Sequence, residues 1–306
     1  MSAPARAAPP YVGRFAPSPT GPLHFGSLVA ALASWCDARA RGGAWHVRIE
    51  DVDVPRSRAG AATGILATLD RCGLAWDGPV VHQSARTAAY DAALARLQAQ
   101  GAVFACTCTR RELERAPVGS GGERVYPGRC RDAHATPPSG RCALRVRVGA
   151  AVVAFTDLLQ GPQRQDLARE VGDFVVRRAD GLYAYQLAVV VDDAALGVTT
   201  IVRGADLLAS TPRQIHLQRL LGVPTPEYLH VPVAINAAGE KLSKQTDARA
   251  LPADPLPALL AAWHFLDQPM PECKPASVSE FVAHARHAWT RHRLPPVTML
   301  PAPRGF

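Results

Sequence analysis

The order of elements over the first hundred residues constrains the fold most. Residues 11–16 form a short apolar strand, which the prolines of Pro17-Ser18-Pro19-Thr20-Gly21-Pro22 then interrupt. Leu28, Ala31, Leu32 and Trp35 recur at helical spacing, so a helix is predicted over residues 23–41, ended by Gly42-Gly43. Residues 45–49 alternate as a second strand and deliver Glu50-Asp51 to its C-terminal end. Helices are predicted over 58–72 and 85–100. This β-α-β-α order implies an α/β chain with a parallel, doubly wound sheet. Ligands of such sheets bind beyond the C-terminal strand ends, where His24 and Glu50 would lie.

The middle of the chain departs from that pattern. Residues 102–145 read as an insertion holding Cys106, Cys108 and Cys130. Strands are predicted over 145–155 and 173–178, with a turn at Asp180-Gly181, and strands at 187–191 and 199–202 resume the main sheet. A helix follows at 212–221, and 229–235 leads into the loop Lys241-Leu242-Ser243-Lys244-Gln245. The organisation expected is a loose tail at 1–10, two halves of one α/β domain at 11–101 and 146–245 around the 102–145 insertion, and a small helical region at 246–306. That last region carries helical patches at 257–266 and 278–293.

The formal net charge of +8 favours a polyanionic partner. Arginine runs at Arg110-Arg111, Arg129–Arg131 and Arg286–Arg293 are candidate phosphate contacts. No stretch approaches the roughly 18 consecutive apolar residues of a membrane span, and residues 1–10 lack the apolar core of a signal peptide. A cytoplasmic location is therefore expected. The seven cysteines then read as thiols or metal ligands rather than a disulfide framework.

Lysine is scarce: it accounts for three of the 34 basic residues, and two of the three fall in the Lys241–Lys244 loop. An ammonium is a compact point charge that a planar guanidinium does not replace. Two of them on one loop suit the phosphates of ATP and the charge that develops in phosphoryl-centre chemistry. His24 and Gly26 fall at a helix N-terminus, where unpaired N–H groups and the helix dipole favour phosphate. Gly26 permits close approach of a nucleotide. Neither a GxxxxGK[ST] nor a GxGxxG string occurs, which removes the ordinary NTPase and dinucleotide readings. Cys106-x-Cys108 with Cys130 and a fourth donor could close a tetrahedral zinc site.

These motifs together resemble a known family. Arg14-Phe15-Ala16-Pro17-Ser18-Pro19-Thr20-Gly21-x-Leu23-His24-x-Gly26 resembles the first signature of class I glutamyl-tRNA synthetases, and Lys241-Leu242-Ser243-Lys244 the second. Arg48-Ile49-Glu50-Asp51-Val52-Asp53, the run from Val202 to Leu208 and Thr211-Pro212-Arg213-Gln214 resemble that family too, so the likeness covers residues 11–245 in order. Two features depart from it. Gln245 stands where full-length members usually carry Arg or Ser, and only 61 residues follow it, too few for the family's anticodon-binding region. That truncation resembles the branch that attaches glutamate to the queuosine base of tRNA(Asp).

The resemblance implies an α/β fold, a class I aminoacyl-tRNA synthetase Rossmann-like catalytic core with a zinc-bearing insertion and a small helical C-terminal part. It implies a ligase that activates L-glutamate with ATP and magnesium and works as a monomer on queuosine-bearing tRNA(Asp). His24, Lys241 and Lys244 are the expected catalytic residues, and His24, Gly26 and Lys244 the ATP contacts. Arg14, Phe15, Ala16, Pro17, Ser18, Glu50, Tyr185 and Arg203 form the expected glutamate pocket, with Glu50 taking the α-ammonium and the two arginines the carboxylates. Cys106, Cys108, Tyr126 and Cys130 are the implied structural zinc ligands, with Cys142 as the rival to Tyr126. Charging of a tRNA 3′ end, and an inactive glutamate- or RNA-binding relative, are the alternatives.

Overall fold

The structure is a computed structural model that describes residues 10–119, 122, 124–133, 141–242 and 249–306. The expected tail, apart from Pro10, lies outside the described residues, as do Ser243, Lys244 and Gln245 of the lysine loop. The chain opens with β1 (Val12–Phe15), α1 (Phe25–Ala40), β2 (Ala44–Ile49), α2 (Ala61–Arg71), β3 (Val81–His82) and α3 (Thr87–Ala99). It continues through β4 (Val103–Cys106), α4 (Arg110–Leu113), β5 (Ala143–Val146), β6 (Val152–Asp157), β7 (Gly161–Asp166), α5 (Leu167–Glu170) and β8 (Phe174–Arg177). Then come α6 (Tyr185–Ala195), β9 (Thr200–Gly204), α7 (Thr211–Leu221), β10 (Glu227–Val231) and β11 (Val233–Ile235). The chain closes with α8 (Leu256–Phe265), α9 (Val278–Ala288) and β12 (Met299–Pro301).

The parallel sheet expected from the element order is present. Parallel pairing joins β1 to β2, β2 to β3, and β9 to β10. The Thr199 amide donates to the Val12 carbonyl at 2.9 Å, which sets β9 on the free side of β1. One face packs a core of Trp45, Val47 and Ile49 from β2 with α1, α2, α8 and α9; the other packs α3, α6 and α7. Alternation along β2 thus sends its apolar residues to α1 and leaves Arg48 and Glu50 together on the opposite side. Gly42, at φ +63°, ends α1, and a Cβ on Gly43 would meet the Tyr11 carbonyl at 2.5 Å, so the turn into β2 requires both glycines.

Four expectations need correction. Residues 187–191 are helix, within α6, not a strand. A short buried apolar run carries no periodicity that separates the two, and only the helix turns Asp192 and Asp193 toward their basic and polar partners across the core. The stretch 145–155 is broken at Gly149, φ +54°, into β5 and β6. The helix expected to 293 stops at Ala288, because Trp289 becomes extended and donates its indole N–H to the buried Asp37 (3.1 Å). Arg291 forks onto the same carboxylate at 2.7 and 2.6 Å, and Tyr11 donates to it as well. Finally, the C-terminal stretch is not wholly helical: β12 runs parallel to β11, the strand that leads into the lysine loop.

The 102–145 segment begins and ends in strands. β4 and β5 pair antiparallel, and β8 adds on the far side of β5. Between them lies a small separate core of Phe104, Cys106, Tyr126 and Cys130. Among the described residues no helix is long and apolar enough to cross a membrane.

Candidate active site

A cavity of about 760 Å³ opens beyond the C-terminal ends of β1, β2, β9 and β10. Arg14, Phe15, Ala16, Pro17, Ser18, His24, Gly26, Glu50, Tyr185, Arg203 and Lys241 all line it. Every expected glutamate- and ATP-site residue within the described part of the chain therefore faces one space, although 227 residues separate the extremes. Lys244 lies outside the described residues. Backbone bonds shape the proline-rich turn: the Glu50 amide donates to Pro17 O and the Arg58 amide to Pro19 O, both at 2.9 Å.

The histidine is the N-cap of α1. Its backbone is extended, and Nδ1 accepts from the Ser27 amide at 3.4 Å. That bond puts the ring proton of a neutral His24 on Nε2, where it can donate. A Cβ on Gly26 would stand 3.3 Å from His24 Cε1 and 3.7 Å from the Leu242 carbonyl, so the glycine admits the ring and the lysine loop to the helix start. Phe25, the residue between them, is buried against Phe265 and Phe306 and anchors the turn to the end of α8 and to the last residue of the chain.

One wall of the cavity is a buried charge cluster. Asp193 Oδ1 accepts from Arg14 Nε at 3.1 Å and from Arg48 Nη1 at 2.5 Å, and Arg48 Nη2 donates to Glu50 Oε1 at 3.1 Å. Two guanidinium and two carboxylate groups thus balance. Burial is the largest influence on Asp193 and opposes its charge, yet the two arginines outweigh it and hold this carboxyl below its ordinary range. For Glu50 burial wins over Arg48 and Arg14, and its pKa is raised.

A second buried cluster at the cavity centres on Arg203, which is 5% exposed. Its Nε donates to His230 Nε2 at 3.0 Å, Nη2 to Thr211 Oγ1 at 2.9 Å and Nη1 to the Tyr185 hydroxyl at 3.5 Å. His230 in turn meets Asp157 through Nδ1 at 2.6 Å. Burial, with Arg203 adding to it, drives the His230 pKa down to about 4, so the imidazole is neutral. Among the described residues no carboxylate pairs directly with Arg203.

At the rim, Lys241 forms an ion pair with Asp206, from the turn after β9. This contact joins the lysine loop to the Val202–Leu208 string. Arg131 and Arg291 of the arginine runs are committed to the buried carboxylates of Asp173 and Asp37, and Arg129 pairs with Glu112.

Away from the cavity, the sulfur atoms of Cys106, Cys108 and Cys130 all lie within 4.8 Å of one another, with Cys108 and Cys130 at 3.5 Å. Ligands about 2.3 Å from a tetrahedral zinc stand roughly 3.8 Å apart. The Tyr126 hydroxyl sits 3.5 Å from Cys106 Sγ and 3.9 Å from Cys108 Sγ. Three thiols and a phenol therefore converge as a donor set that could hold a metal, and Cys142 is not among the converging thiols. Burial opposes ionisation of Cys130, but the Thr107 backbone and the Tyr126 hydroxyl outweigh it and bring that thiol down to about 6.

Sequence reasoning gave no role to Arg48, Asp157, Asp193, Asp206 or His230. Arg48 and Asp206 stand inside the signature strings, and their position there was the available signal. Asp157, Asp193 and His230 lie in unremarkable strand and helix text, and only the fold places them behind the arginines.

The family described as tRNA synthetases class I (E and Q), catalytic domain, matches residues 11–254. A glutamyl-Q tRNA(Asp) synthetase of Aromatoleum aromaticum is 58% identical over 303 residues, spanning 98% of this chain and 95% of that protein. One from Burkholderia mallei is 60% identical, over 91% of this chain and 96% of that protein, and one from Thiobacillus denitrificans is 56% identical, over 95% and 98%. The fold is similar to a glutamate-tRNA synthetase of Elizabethkingia anophelis, with a TM-score of 0.78 at 22% identity over 96% of this chain and 68% of that one.

Proposed function

This chain belongs to the tRNA synthetases class I (E and Q), and from that membership we propose that it activates L-glutamate with ATP and transfers it to the queuosine base of tRNA(Asp). The observation that carries the reading is the cavity itself. It is lined by the Arg14 and Arg203 guanidinium groups, with the Glu50 carboxylate beside the first. Glutamate carries two carboxylates and one ammonium, which is the complement of that set. The preference for queuosine over a tRNA 3′ end rests on relatives of that name at 56–60% identity across nearly the whole chain.

In the first step a glutamate carboxylate oxygen attacks the α-phosphorus of ATP. The new O–P bond replaces the bond to pyrophosphate, which leaves. Negative charge grows on the phosphoryl oxygens, and in this reading the His24 Nε2–H, the N-terminus of α1 and Lys241, which share the cavity, meet it. Lys244 completes this group in the proposal, and Gly26 keeps the helix start open to the nucleotide. Magnesium bound with ATP would supply counter-charge to its phosphates. In the second step a hydroxyl of the queuosine ring attacks the acyl carbon and AMP departs. Glu50 holds the substrate ammonium, Arg14 and Arg203 its carboxylates, Tyr185 adds a hydroxyl, and the turn from Phe15 to Ser18 closes the pocket.

The reading also assigns zinc to Cys106, Cys108, Tyr126 and Cys130, where it would staple the small core between β4 and β5. It places the enzyme in the cytoplasm as a monomer. The activation step is tested by ATP–pyrophosphate exchange, with and without tRNA. Glutamate should support exchange and glutamine should not; exchange driven equally by both would overturn the pocket assignment.

A further inference from the structure

Arg203 is anchored in an unusual way for a buried cation. Its Nε end rests on a neutral imidazole, and the acid that balances the charge stands one residue behind, in the order Asp157–His230–Arg203. These residues come from three separate strands, β6, β10 and β9. Neither Asp157 nor His230 lines the cavity, and both side chains are fully buried. We infer that Asp157 and His230 are positioning residues that fix Arg203 for a substrate carboxylate while keeping any acid from competing for its open edge. This rests on the proposed glutamate pocket and deepens it.

The chemistry depends on one proton. Asp157 Oδ1 accepts from the backbone amides of Leu159 at 3.0 Å and Gln160 at 2.8 Å, and from that of His230 at 3.3 Å. Oδ2 is left to face His230 Nδ1, which must therefore carry the ring proton. Nε2 is then a lone-pair acceptor, and it meets the Arg203 Nε–H at 3.0 Å, with the Thr211 hydroxyl beside it at 3.3 Å. A carboxylate placed directly on Arg203 would also hold the guanidinium, as Asp193 holds Arg14, but it would leave less of its charge to a substrate carboxylate. The imidazole supplies the geometry without the charge. Thr211 Oγ1, 2.9 Å from Nη2, fixes the second edge in the same neutral fashion. The Nη1 edge, toward Tyr185, is the one left to the cavity.

Asp157→Asn tests this directly. The three backbone amides hold the Asn oxygen in the Oδ1 position, so the side-chain NH2 faces His230 Nδ1. The imidazole must then accept there and carry its proton on Nε2, against the Arg203 Nε–H. With two donors opposed, Arg203 shifts, and KM for glutamate in pyrophosphate exchange should rise about tenfold while KM for ATP stays within about twofold. An unchanged KM for glutamate, or an equal rise in both constants, would overturn the inference.

Should Asp157→Asn fail to fold, His230→Gln and His230→Leu give the same test. Gln retains an acceptor for Arg203 and should stay within about threefold of the parent in KM for glutamate, whereas Leu should exceed about tenfold. Equal values would contradict the relay. Arg203→Ala separates the two layers. If it leaves KM for glutamate unchanged, the pocket reading itself fails. If it raises KM and Asp157→Asn does not, the positioning role alone fails.

Discussion

Asp193 and Arg14, 179 residues apart in sequence, meet at 3.1 Å in the wall of the cavity, both nearly excluded from solvent. Because Arg48 shares the same carboxylate oxygen, Asp193 compensates two buried guanidinium groups at once. Removing one partner of a buried pair is costly, since the other is left charged in a poor solvent. Asp193→Asn should lower unfolding stability by about 3 kcal/mol, measured by urea denaturation. A loss below about 0.5 kcal/mol would show that water reaches the arginines.

Lys241 and Asp206 make a different kind of pair, half-exposed at the cavity rim. Its contribution to stability is small, so its value lies in where it holds the lysine loop. Asp206→Asn should leave the unfolding midpoint and KM for glutamate near the parent values and reduce the exchange rate about tenfold. Steady-state kinetics with each substrate varied in turn would check this. A change confined to KM for glutamate would place Asp206 in the wrong half of the site.

The neutral His230 makes stability pH-dependent. Its pKa is about 4 in the fold, against about 6.5 for an unperturbed histidine. The unfolded chain therefore binds the extra proton first, and stability that is full above pH 6.5 is lost as pH falls toward 4. Asp157, held below the ordinary carboxylate range by His230 and backbone amides despite its burial, acts in the same direction at lower pH. The urea midpoint should fall between pH 7.5 and 5.5, and His230→Gln should flatten that part of the profile. An unchanged slope in the variant would assign the effect elsewhere.

The cysteine cluster predicts about one zinc per chain. Cys108→Ser should lose the metal, Tyr126→Phe should weaken its retention against a chelator, and Cys142→Ser should retain it fully. Metal analysis of the purified variants decides between Tyr126 and Cys142 as the fourth donor.

Much of the site was legible because its residues lie in signature strings whose chemistry is local. A histidine at a helix start, a glycine two residues on and two lysines on one distant loop point to phosphate in combination, before any fold is known. The supports were not legible for the converse reason. Asp193 matters through a contact spanning 179 residues, and its helix reads as a buried strand because Leu187–Val191 are apolar on every side. His230 looks like an ordinary strand residue until β9 and β10 pair and set it opposite Arg203. The break after Ala288 was hidden similarly: nothing near Trp289 in sequence announces that its partner is Asp37, 252 residues earlier.

The account turns on the destination of the glutamate. Labelled glutamate, ATP and magnesium should be supplied with tRNA(Asp) bearing queuosine, with the same tRNA lacking it, and with tRNA(Glu). Label on the queuosine-bearing tRNA(Asp) alone is the predicted result. Label on tRNA(Glu), or on tRNA(Asp) regardless of queuosine, would contradict it and indicate an enzyme that charges a tRNA 3′ end.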